Sequence, residues 1–196
     1  MLFGSNQERS FPVVMFGVIL VVSSLIFCIF FITAPVVRLL GESEFRMRSA
    51  FHGVFAGAFM ITATIGFYQA LKLWSGIEIN VKELKLGSLL NAVFCFFTIV
   101  FGNWLYIPYR SQNGPRSYFL QMAPEVHKIF FEFKEFTALF TLPLLVAASW
   151  IIWRHEKTLN TNKYLKVMSA ILLVLGFFYF VISFGLGAAI TKMKAV

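Results

Sequence analysis

Apolar positions in this chain come in long unbroken runs divided by short polar connectors, not in the one-sided helical or alternating patterns of a soluble fold. Five runs stand out, at 11–34, 50–74, 86–107, 129–153 and 165–190. Each is long enough for a helix to cross a hydrocarbon core, which takes about 20 residues. The pattern predicts an all-α integral membrane protein, a bundle of five transmembrane helices forming a single domain over residues 1–196. The four loops and two tails are too short for a soluble catalytic domain. No internal repeat, low-complexity tract or linker divides the chain.

The ends of the runs carry their own signals. The third closes in "GNWLYIPYR", where Trp104, Tyr106 and Tyr109 read as an interfacial aromatic belt, Pro108 as a helix stop and Arg110 as a headgroup contact. The fourth closes with Trp150, Trp153 and Arg154. Between the two lies "QNGPR", a turn signal at Asn113, Gly114 and Pro115. Pro124 suits the first position of the fourth helix, and Glu125 complements the helix dipole there.

Composition agrees with the pattern: 59% of residues are hydrophobic and 13% charged, with a mean hydropathy of +0.78. The net charge of +8 comes from basic residues flanking the spans, as membrane anchoring requires, so nucleic acid is not a partner. Counted by side, eight basic residues fall on the N-terminal side and nine on the other, so the positive-inside rule does not orient the chain. The first run is longer than the ~7–15 residue core of a signal peptide, and retention rather than cleavage is expected. Cys28 and Cys95 sit singly inside apolar runs, which speaks against zinc fingers, thiol redox motifs and covalent haem. Neither a metalloprotease nor a serine-hydrolase motif is present.

Small and polar residues mark faces that meet something other than lipid. Gly53 and Gly57 lie one turn apart on the second span. Asn91, Cys95, Thr98 and Gly102 form a single stripe on the third. Both patterns read first as helix-packing faces, and the glycine pair would also leave room for a flat cofactor.

The stretch "EVHKIFFEFKEF" at 125–136 sets ionisable groups at the mouth of an apolar run. Chain direction brings the start of the fourth span to the same membrane face as the start of the second, so His52 and His127 share that face with Arg48, Arg110, Glu132, Lys134 and Glu135. His155 belongs to the opposite face. Ideal helix geometry puts His127 and Lys134 on one side of the fourth span and Lys128, Glu132 and Glu135 on another. Glu132 and Glu135 then share Lys128 as counter-ion and are candidates for a proton relay, unless the helix simply projects into water.

Two histidines from neighbouring helices, arginines for propionates and small residues at Gly53 and Gly57 together resemble the small cytochrome b membrane subunits of bacterial respiratory oxidoreductases. The resemblance implies a multi-pass protein of the bacterial inner membrane, with His52 and His127 as axial ligands of one b-type haem, Arg48 and Arg110 beside it, and quinone as a redox partner. It further implies other membrane subunits and a peripheral redox subunit as partners, besides lipid. A non-catalytic accessory or scaffold subunit of a larger membrane complex is the alternative reading, and a small transporter a third.

Overall fold

The computed structural model describes residues 44–193, with side chains from 47 onward. The run at 11–34, with Cys28, lies outside the described residues. Five α-helices account for most of what is described: α1 (Glu44–Trp74), α2 (Val81–Tyr109), the short α3 (Pro115–Met122), α4 (Glu132–Arg154) and α5 (Lys163–Met193). A π-helical turn at Val126–Phe131 runs into α4 without a break. Four helical segments, Met47–Trp74, Val81–Tyr109, Val126–Arg154 and Lys163–Met193, are long and apolar enough to cross a membrane. They correspond to the second to fifth predicted spans.

Short connections with local caps make neighbouring helices antiparallel. Gly76, at φ 74°, turns the chain after α1. The Asn80 side chain then caps α2 by accepting from the Lys82 amide at 3.1 Å. Asn162 does the same for α5, accepting from the Tyr164 and Leu165 amides. Helix four's segment begins at Pro124, the position the sequence predicts.

The four long helices close a ring in the order α1, α2, α4, α5, with α5 returning to α1. Specific pairs fix each seam. Asn91 packs where Gly66 leaves room, and Gln69 where Gly87 does, on α1 and α2. The Ser149 hydroxyl donates to the Ser88 carbonyl at 2.7 Å, and the Trp153 indole to the Lys85 carbonyl at 3.1 Å, joining α4 to α2. Thr137 and Ser183 hydroxyls meet at 2.7 Å between α4 and α5. Phe59 against Phe180, with ring centroids 4.3 Å apart, joins α1 to α5. In a bilayer, where apolar burial drives little helix association, small residues and interhelical hydrogen bonds of this kind hold a bundle together.

The two ends of the ring differ. At the end bearing the α1–α2 turn and residues 155–162, the interior is filled: Leu73, Leu84, Ile152 and Leu159 are almost fully buried. A Lys85–Glu156 ion pair and an Asn160 bond to the Ile79 carbonyl tie the loops down there. The other end, where α1 and α4 begin and α2 and α5 finish, is hollow.

A candidate ligand cavity at one end of the bundle

Between the four helices at the hollow end lies a partly open cavity of about 580 Å³. That size falls in the range of small-molecule pockets, about 300–1,000 Å³. The walls are mostly apolar and small, and three ionisable side chains face in from two helices: His52 from α1, and Lys134 and Glu135 from α4. Tyr106 and Tyr109 close part of the wall from α2, and Ser183 and Gly187 contribute from α5.

His52 is held in one tautomer. Its Nδ1 lies 3.0 Å from the carbonyl oxygen of Thr98 on α2. A carbonyl only accepts, so Nδ1 carries the proton and, in the neutral ring, Nε2 presents a lone pair. Gly102, one turn on, makes room for the ring: a Cβ there would come within 3.2 Å of His52 Cε1. The stripe of Asn91, Cys95, Thr98 and Gly102 therefore faces α1, with Asn91 only 1% exposed. Gly102→Leu is expected to expel the imidazole and cost about 1–3 kcal/mol, as overpacking does. Gly53→Ala, where an added Cβ meets nothing within 4 Å, serves as the neutral control. Unfolding of the two variants side by side in mild detergent checks this, and equal stability would remove the assigned contact.

Lys134 reaches the cavity by laying its stem across α5 at Gly187, where a Cβ would stand 3.4 Å from Lys134 Cε. Its ammonium rests over the Phe131 ring, 4.9 Å from the centroid. Among the described residues the ion pair joins Lys85 to Glu156, so no carboxylate lies within ion-pair distance of Lys134, nor of Lys128. Lys134 and His52 are close enough to interact electrostatically. Glu135 neighbours Tyr106, whose hydroxyl accepts from exposed Arg110 Nη2 at 2.7 Å. A polar path thus runs from the cavity to the membrane face.

His127 takes a different place. It stands at the same end as His52 but does not line the cavity. It is 4% exposed and bonded at both ring nitrogens: Arg116 Nε donates to Nε2 at 3.1 Å, and Nδ1 lies 3.0 Å from the Tyr109 hydroxyl. Arg116 belongs to α3, so the imidazole fastens that short helix to the bundle. The separation of His127 from Lys134 has a geometric cause. Bonding from i to i+5 puts more residues into a turn than the α-helix holds, so the π-helical turn at Val126–Phe131 rotates His127 away from the face that ideal geometry gives it.

The other predicted residues divide as follows. Gly53 and Gly57 line the cavity, and among the described residues neither makes the close helix contact that their spacing suggested. Glu135 lines it as well, whereas Glu132 is exposed and outside it. Arg48 lies beside Trp104, donating to its carbonyl at 3.2 Å, and Arg110 stacks on Tyr106 at 4.2 Å; neither reaches the cavity. Tyr109 is not an interfacial belt residue: at 6% exposure it stacks on Phe131, with centroids 4.5 Å apart and planes 5° from parallel. Sequence reading did not single out Lys134 as the cavity cation or Tyr106 as a neighbour of Glu135.

A bis-histidine haem does not fit these side chains, because both nitrogens of His127 are already engaged and the ring lies outside the space that His52 faces. No group of three or more histidine, cysteine or acidic residues that could hold a metal ion occurs among the described residues. No family model, curated protein or solved structure matches the chain.

Proposed function

We propose that the chain is a multi-pass membrane subunit that binds a quinone-class molecule in the cavity between its helices, as part of an electron-transfer complex of a bacterial inner membrane, with the run at 11–34 as its fifth span. The observation that carries this reading is the pairing, inside an apolar cavity of about 580 Å³, of a donor with an acceptor: the Lys134 ammonium and the fixed Nε2 lone pair of His52.

A quinone carbonyl accepts from an ammonium, and a quinol hydroxyl donates to an imidazole lone pair. A site with both groups suits a headgroup that exchanges carbonyl for hydroxyl as it is reduced. Glu135 adds a carboxylate beside that headgroup, and Tyr106 and Arg110 connect it to the membrane face, so protons lost or gained by the ligand have a polar route. Ionisable groups placed within a bilayer are costly, which favours a functional over a merely structural role for Lys134.

Titration of a decyl-tailed benzoquinone and its quinol into the protein in lipid nanodiscs tests the reading. Saturable binding is expected, with His52→Leu weakening the quinol by about tenfold, the equivalent of one lost hydrogen bond to a buried partner. An absence of saturable binding to the wild-type protein would leave the accessory-subunit reading in its place.

A further inference from the structure

The seam between α1 and α5 is closed at mid-bundle and open at the cavity. Phe59 packs on Phe180 and Phe67 stacks on Phe177 across it, at 4.3 and 4.5 Å between centroids. Beyond Phe59, towards the start of α1, the facing residues shrink to Gly57 and Gly53 on α1 and to Gly187 and Ala188 on α5, all four lining the cavity. Among the described residues, a Cβ at Gly53 or Gly57 would meet nothing within 4 Å, so α5 does not press on α1 at these two glycines. Gly53, Ala188 and the neighbouring Phe184 are exposed. The end of the cavity towards the membrane face is covered, by contrast: Pro115 and Phe119 of α3 and the Tyr109–Phe131 stack lie across it, all buried.

We propose that the gap between α1 and α5 is a lateral portal, through which the long apolar tail of a bilayer-dissolved amphiphile leaves the cavity while its polar head stays at His52 and Lys134. The proposal deepens the quinone reading and rests on it, since it names the ligand as a tailed one that enters from lipid. His52 and Lys134 supply the cavity's polar groups, and the small residues of α1 and α5 give its wall an apolar stretch beside them, so head and tail each meet matching surroundings. Gly53 and Gly57, with no described neighbour where a Cβ would stand, keep a slot open that a larger residue would narrow.

The experiment compares two probes, a decyl-tailed benzoquinone and its tail-less parent, on three proteins in nanodiscs: wild type, Gly57→Leu and Ala188→Leu. Each probe is compared with itself across the proteins, so its partition into lipid cancels. A leucine in the portal is expected to weaken the tailed probe by about tenfold or more and the tail-less probe by no more than about twofold. Such discrimination by either variant supports the portal. If both variants change the two probes alike, or change neither, the portal is overturned while the binding site stands. If wild-type protein binds neither probe, the quinone reading is overturned and the portal with it.

Discussion

A Lys134→Met variant is expected to be more stable than the wild-type protein and to have lost most of its affinity for the cavity's ligand. Methionine keeps the length and flexibility of the lysine stem, so the packing against Gly187 and the Phe131 ring survives. What disappears is a positive charge that has no ion-pair partner among the described residues, within a helix long and apolar enough to span a membrane. On insertion scales such a charge costs ~2.5–3.5 kcal/mol at the centre of a span, and less near its end, where a lysine stem can snorkel. A gain of about 1–2 kcal/mol is therefore expected. The ligand loses the only ammonium donor that the described residues bring to the cavity, and a charge-assisted hydrogen bond is worth about 1.5–3 kcal/mol, or roughly tenfold to a hundredfold in affinity. Unfolding in mixed detergent micelles and quinone titration in nanodiscs measure the two effects separately. A variant less stable than wild type, with unchanged affinity, would make Lys134 a structural cation and remove the basis of the proposed site.

The broad architecture was legible because hydropathy and chain direction are local and cumulative. Runs of about 20 apolar residues identify the spans, and four of them appear as helices long enough to cross a membrane. Counting crossings was also enough to bring the starts of α1 and α4, with His52 and His127, to the same end of the bundle. The site's interior was not legible in the same way. Lys134 and His127 share a face only if the helix is α throughout, and the π-helical turn between them changes that phase without a composition signal of its own. The partners of His127 come from α2 and α3, through Tyr109 and Arg116, and contacts of that kind follow from how helices pack. Gly53 and Gly57 show the same limit from the other side. Their spacing is that of a close-packed seam, but whether a neighbour fills the space depends on how the other helices pack, and among the described residues nothing stands within 4 Å of a Cβ at either glycine.

The second large effect separates the two histidines that the sequence treats alike. His127→Leu is expected to destabilise the protein by about 1–3 kcal/mol, because it strips the partner from the buried Tyr109 hydroxyl and a lost partner of a buried polar group costs about that much, whereas the exposed Arg116 can turn to water. The Tyr109 hydroxyl, on a ring that is 6% exposed, loses the bond to Nδ1, and Arg116 Nε loses its acceptor. Leucine fills much of the imidazole's volume, so the loss reads out hydrogen bonding more than cavity formation. With Arg116 released, α3 is held mainly by buried Phe119, and the turn at Ser111–Gly114 is expected to be cut faster by protease in the variant. His52→Leu should show the opposite profile. The imidazole there is only partly buried, and its one hydrogen bond among the described residues is to the Thr98 carbonyl on α2. Stability should therefore change by less than about 1 kcal/mol, while quinol affinity falls. Equilibrium unfolding, limited proteolysis and ligand titration on both variants give a two-by-two comparison. If His127→Leu kept full stability and protease resistance but abolished a haem absorption band of the purified complex, His127 would be an axial ligand, and its bonds to Tyr109 and Arg116 would not be what holds it in the working protein.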